Sequence, residues 1–329
     1  MAAPFLDVPI HEGERIARRV TVGELPDGSP ISLPVVTMRG RRPGPTLYLQ
    51  AGIHGDEQTG IEICRRALAT ITPDELRGTL VSIPVANVPS HLTRTRGYLH
   101  EERWLIDINR IFPGNPHGLM TERVASILFD SFVRVADVTI DLHSALDGCD
   151  IAPFVYIDPD DDEHGTLEIR ERVGLAFRTP YVYYKGRNAR FGTSDLSRSI
   201  SAQADLIGKP VISAEMGESR RVSTTFVPLG VEGVRNALRA LEMLDGDPPE
   251  PVGQRRFTQF SIVHAERGGG LRLDVDLGDE VTSGQEIGEV VDVFGERVET
   301  LIAPRDGFIL RAMRLGSIST GAEVVWVAA

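Results

Sequence analysis

Three residues that suit a metal ion stand at the ends of short apolar runs in this 329-residue chain. His54 and Glu57 lie three apart in Ala51-Gly52-Ile53-His54-Gly55-Asp56-Glu57. Residues 45–50 before them read as a buried strand, and residues 59–68 after them read as a helix. At this spacing, on the turn into a helix, an imidazole nitrogen and a carboxylate oxygen can converge on one ion, and the pair suits zinc. Gly52 and Gly55 let the backbone turn sharply and leave room for a ligand. Taken alone, the pair reads more simply as solvated charge at a helix start.

A second strand-like run, 136–145, carries His143 near its end. A catalytic zinc commonly has three protein ligands and one open position, so His54, Glu57 and His143 would complete such a set. The plainer reading of His143 is a histidine capping a strand through a backbone hydrogen bond. Asp141 and Asp107 suit carboxylates that orient ligating imidazoles from behind, or equally strand-end and loop caps. Asn109 and Arg110 follow Asp107, and the planar fork of arginine fits a substrate carboxylate. A surface salt bridge is the alternative for Arg110.

HGDE at 54–57, DINR at 107–110, DLHSA at 141–145 and SAEMG at 213–217 occur in the order of the motifs of one family. The chain resembles the succinylglutamate desuccinylase and aspartoacylase family of zinc carboxypeptidase-like deacylases. By motif the resemblance runs from about residue 40 to about 220, and the C-terminal remainder resembles that family's accessory β domain. It implies an α/β fold, a mixed sheet of the zinc-carboxypeptidase kind flanked by helices, with a small C-terminal all-β domain. It implies one Zn2+ per chain on His54, Glu57 and His143, a substrate carboxylate bound by Asn109 and Arg110, and Glu215 as general base. Glu215 also stands out by itself, since it ends the apolar run 209–217 just before a glycine, and acids seldom stay buried without a partner or a task. A strand-end glutamate facing water is the alternative.

The implied chemistry is hydrolysis of the amide of a small N-acylated amino acid or diamine. Zinc lowers the pKa of a bound water towards about 7, Glu215 takes its proton, and an arginine helps to stabilise the oxyanion. For that arginine Arg103 is the nearest match, one residue closer to Asn109 than the family pattern, with Arg94 and Arg96 as rivals. The family's late-chain tyrosine has no counterpart, because the last tyrosine is Tyr184. Tyr181, Tyr183 or Tyr184 takes a related place, or none does. Residues 181–193 read as a substrate loop or an ordinary exposed connection. Asp147, Asp150 and the acidic run 158–163 read as solvated charge. Two other readings stay open: a metallocarboxypeptidase acting on peptides, and a non-catalytic binding protein on the same fold.

A net charge of -12 argues against a nucleic-acid partner. No apolar run approaches the roughly 20 residues that span a bilayer, so no membrane association is expected. The start, MAAPFLDVPIHEGER, lacks a basic segment followed by an apolar one, so secretion is not expected. Cys64 and Cys149 are too few for a disulfide framework and fit a reducing, cytoplasmic setting. A homo-oligomer is left open.

Alternating strand and helix patterns (strands at 80–85, 138–142 and 211–215; helices at 121–132, 196–206 and 230–244) favour a sheet with helices on both faces. Ligands of such sheets gather outside the strand ends, where His54, His143 and Glu215 all fall. The Pro-rich stretch 245–251 divides a hydrolase domain, 1–247, from a β domain, 252–329. In the latter, GDEVTSGQEIGEV and APRDGFI resemble biotinyl and lipoyl carrier domains. No lysine follows Lys209, so a swinging arm is excluded and a cap over the site or an oligomer contact is expected.

Overall fold

A computed structural model describes residues 10–98, 101, 107–146, 148–158, 164–185, 195–251 and 253–329. Its first eight strands are β1 (Glu14–Glu24), β2 (Pro30–Arg39), β3 (Arg42–Ala51), β4 (Arg77–Ile83), β5 (Val138–His143), β6 (Cys149–Ile157), β7 (Tyr181–Tyr184) and β8 (Val211–Glu218). The helices are α1 (Gln58–Ala69), α2 (Val88–Thr93), α3 (Met120–Leu128), α4 (Leu167–Ala176), α5 (Ile200–Asp205) and α6 (Phe226–Ala240). After α6 come β9 (Arg255–Phe257), β10 (Phe260–His264), β11 (Gly269–Leu273), β12 (Glu280–Val281), β13 (Glu286–Val291), β14 (Arg297–Ile302), β15 (Gly307–Met313), β16 (Ser317–Ile318) and β17 (Glu323–Ala328). The fold is therefore the expected mixed α/β architecture with a second, smaller antiparallel sheet.

The centre of the main sheet is parallel: β4, β3, β5 and β8 lie side by side in that order. Parallel strands covered on both faces read as continuous apolar runs. β5 fits, since all six of its residues are buried. β1 and β2 extend one side as an antiparallel pair, and the alternating exposure along β1 marks a sheet face left to water. One large core packs α1, α4 and α6 against the sheet, and a second gathers Tyr48, Phe112, Phe129 and Phe132 around α3.

On the other side of β8 the sheet turns antiparallel through β6, and β15, β17 and β10 follow in the same sheet. The strands beyond the Pro-rich stretch thus share backbone hydrogen bonds with the strand beside Glu215. β11, β13, β14 and β16 form the separate four-stranded sheet. An aromatic cluster ties the two halves: Phe308 of β15 stacks on Tyr181 of β7 at 4.3 Å and meets Phe257 edge-on at 5.7 Å.

Both cysteines are buried and outside any disulfide, and burial pushes the Cys64 thiol up to about 12. No helix among the described residues is long and apolar enough to cross a membrane. Because Phe308 is fully buried at the junction of the two halves, Phe308→Ala is expected to lower unfolding free energy by about 3–5 kcal/mol. Urea denaturation followed by tryptophan fluorescence measures it; a change below about 1 kcal/mol would show that this contact does not hold the halves together.

Candidate metal and active site

The parallel strands deliver the predicted residues to one end of the sheet. β3 ends at Ala51, three residues before His54, and β5 ends at His143, which lies beside Glu215 of β8 in the strand register. Gly52 takes a left-handed φ of +69°, which turns the chain away from β3. Gly55 serves a different purpose from the ligand space expected of it. A Cβ there would sit 2.1 Å from the Ser90 backbone, so its missing side chain lets α2 pack against the turn.

His54, Glu57 and His143 are each at most 4% exposed. Their ligand atoms lie within 4.8 Å of one another. Glu57 is the hub: Oε1 is 2.6 Å from His54 Nδ1, and Oε2 is 2.8 Å from His143 Nδ1. Behind the rings, His54 Nε2 meets Asp107 Oδ1 at 2.9 Å and His143 Nε2 meets Asp141 Oδ2 at 2.8 Å. An ionised carboxylate only accepts, so each Nε2 carries its proton and each Nδ1 is turned towards Glu57. Asp107 and Asp141 thereby take the orienting positions that the sequence left open. In neutral rings both Nδ1 atoms present lone pairs to an acceptor, and either a proton on each ring or a shared cation relieves that opposition.

The electrostatics record the same crowding. Burial works against charge on both imidazoles, yet Asp141 and Glu57 push the His143 pKa well above its ordinary value, and Glu57 with Asp107 raises that of His54. Burial also opposes the ionised Glu57, but the two imidazoles hold its carboxyl far below the usual range. Glu215 behaves in the opposite way. Burial pushes it up to about 7, with nearby Glu57 adding to the rise and His143 opposing it.

Arg96 joins this group. Its Nε and Nη2 both lie 2.9 Å from Asp107 Oδ2, and its Nη1 is 3.5 Å from Glu57 Oε1. Arg103, the nearest match to the family's arginine, lies outside the described residues. Arg94 caps α2 with φ +54° and does not line the cavity. Arg110 lines it with a quarter of its side chain exposed, 3.8 Å from Asp107 Oδ2. Asn109 lines it too, but its Oδ1 accepts from Ile200 N at 2.9 Å and so holds the start of α5.

His54, Glu57, Arg96, Asp107, Asn109, Arg110, His143 and Glu215 open onto a cavity of about 590 Å³. The tyrosine it contains is Tyr156 of β6, whose hydroxyl donates to Glu215 Oε1 at 3.4 Å. The sequence candidates lie elsewhere: Tyr181 and Tyr183 are in the aromatic cluster, and the Tyr184 hydroxyl donates to Glu171. Tyr156 is half-buried in an apolar strand and reads in sequence like any core tyrosine, and only the β6–β8 pairing sets it beside Glu215. Asp158 also departs from the solvated reading, because it lines the cavity and pairs with Lys185 at 3.4 Å. Asp150 instead pairs with Arg221 and Arg314. Asp147 and residues 159–163 and 186–194 lie outside the described residues.

The sequence profile of the succinylglutamate desuccinylase/aspartoacylase catalytic domain matches residues 43–241, which include His54, Glu57, Arg96, Asp107, Arg110, His143 and Glu215. The chain belongs to this family. Among curated members, the N-alpha-acetyl-L-2,4-diaminobutyric acid deacetylase of Halomonas elongata is 28% identical over 310 residues, covering 91% of this chain and 86% of that protein. A succinylglutamate desuccinylase of Pseudomonas aeruginosa is 27% identical, with 81% and 82% covered. The product-bound ectoine utilization protein EutE (DoeB) of Ruegeria pomeroyi shares the fold, with a TM-score of 0.85, 23% identity and 98% of both chains covered. That coverage takes the shared architecture past the catalytic segment and into the C-terminal strands.

Burial sets the proton affinity of Glu215, so in metal-free protein its carboxyl is expected to titrate with a midpoint of about 7. Infrared difference spectra read this as a protonated-carboxyl band that grows as pH falls and is missing in Glu215→Gln. A band that instead titrates near pH 4 would show a hydrated carboxylate.

Proposed function

We propose that the protein is a zinc-dependent amidohydrolase that removes the acyl group from a small N-acylated amino acid or diamine. The observation that carries this reading is the convergence of His54, Glu57 and His143 on one point of a cavity that also holds Glu215 and Arg110. The donor set fits a zinc ion: two imidazole nitrogens and one carboxylate oxygen, with both rings already turned by carboxylates behind them. When bound, the ion supplies a Lewis acid that polarises a carbonyl and acidifies water.

The chain's own groups divide the remaining work. Glu215, half-buried and with its proton affinity raised towards neutrality, accepts the proton of the attacking water and returns it to the leaving amine. Arg96, held by Asp107, brings positive charge to the place where the carbonyl oxygen becomes an oxyanion. Arg110 receives the substrate carboxylate. The curated relatives are named for N-alpha-acetyl-L-2,4-diaminobutyric acid and for succinylglutamate, both N-acylated amino acids. β15 and β17 wall the cavity with Arg311, Met313 and Trp326, which supports a small substrate over a peptide. Buried cysteine thiols outside any disulfide support a reducing cytoplasmic setting.

Glu215→Gln is expected to keep about one zinc per chain while kcat falls about 10²–10⁴-fold. Metal analysis beside an assay on N-acetyl and N-succinyl amino acids tests both halves, and near-normal turnover would remove Glu215 from the mechanism. Arg110→Ala is expected to raise KM about 10–100-fold for an N-acyl amino acid with a free carboxylate, and much less for its methyl ester. Equal effects on acid and ester would place the carboxylate elsewhere.

A further inference from the structure

The cavity wall built by β15 and β17 carries a charged cluster that the chemistry above leaves unused. Arg311 is 3% exposed, and its Nη1 donates to Glu323 Oε2 at 2.7 Å. Its guanidinium carbon lies 4.6 Å from the centre of the Trp326 ring, and its Nε is buried with no hydrogen-bond partner among the described residues. Trp326 Nε1 donates to the same Oε2 of Glu323 at 3.2 Å. Two donors thus fix one oxygen of Glu323, while no described contact engages the other.

Exposure decides which group a ligand meets. The Arg311 side chain is 4% exposed and that of Glu323 is 35%. A molecule entering the cavity finds the free carboxylate oxygen, whereas the guanidinium is already enclosed between Trp326 and Glu323. The cavity's other described acids are engaged: Asp107 with Arg96, Asp158 with Lys185, Asp205 with Arg170, Glu57 with the two imidazoles, and Glu215 with the Tyr156 hydroxyl. A single free oxygen suits an ammonium, which is a compact charge with freely rotating donors. It suits a guanidinium poorly, because that fork seeks two parallel acceptors.

We propose that Glu323 receives a free ammonium group of the substrate, which makes N-acylated diamino acids the preferred substrate class. The inference rests on the deacylase reading and adds a recognition point from the C-terminal strands. Arg311 and Trp326 act as positioning residues, holding the carboxylate in place at the cavity wall.

The test compares Nα-acetyl-2,4-diaminobutyrate, Nα-acetylornithine and Nα-acetyllysine with matched analogues that end in a methyl group. Wild-type protein is expected to favour the ammonium member of at least one pair by tenfold or more in kcat/KM. Glu323→Gln, whose amide oxygen still accepts from Arg311 and Trp326, is expected to cut that preference about tenfold. Glu323→Asp, which retains the charge on a shorter arm, is expected to fall between the two. No preference in the wild type, or a preference that survives in Glu323→Gln, would overturn the assignment. Calorimetric binding of the free diamino acids reads the same contact without turnover. Tighter binding to the wild type than to Glu323→Gln, with no hydrolysis of any substrate, would leave the subsite standing and remove the deacylase reading. Equal binding to both proteins would remove the subsite.

Discussion

One buried carboxylate organises this molecule. Glu57 sits between two imidazoles, and each imidazole is backed by an aspartate, so an alternating chain of acid and base runs through the interior. Isolated, any of these charges would be costly to bury, because a low-dielectric interior penalises an unpaired ion heavily. Together they satisfy one another. Removing one partner leaves the others unbalanced, which ties the loop after β3, the end of β5 and the segment at Asp107 into one unit. Arg96 closes the unit from outside by neutralising the second oxygen of Asp107.

The sheet makes this arrangement affordable. Its parallel centre brings the carboxyl ends of β3, β5 and β8 to one edge, and short connections place a polar residue at each. Buried apolar residues on both faces hold the strand ends in register, so the ligand atoms converge without long flexible loops between them. Glu215 shares that edge without joining the chain of charges. Tyr156 is the hydrogen-bond partner that reaches it, and burial leaves its proton affinity near neutrality. Adjacent carboxylates thus have opposite character: Glu57 is fixed as an anion by imidazoles, and Glu215 is poised to gain or lose a proton.

The antiparallel turn at β6 adds a property that a purely parallel sheet would lack. Through β6 the strands of the last quarter of the chain continue the sheet, and their side chains complete the cavity. Arg311, Glu323 and Trp326 are distant in sequence from His54, Glu57 and His143.

The local chemistry was legible in the residues. HGDE on a strand-to-helix turn, a histidine ending an apolar run and an acid before Gly217 are patterns of type and spacing, and each names its own position on an element. The order of the four motifs was enough to identify the family and its mixed α/β sheet. Other facts depend on contacts between residues far apart in the chain. Tyr156 looks like any core tyrosine until β6 pairs with β8. Arg96 is one of several arginines on its loop until Asp107 folds over it, and Asn109 reads as a binding residue until Ile200 takes its oxygen. Sequence period fixes which face of an element is polar, but strand order and register decide which polar faces meet. Those choices are made by the whole sheet, and so the walls of the cavity could be read only in three dimensions.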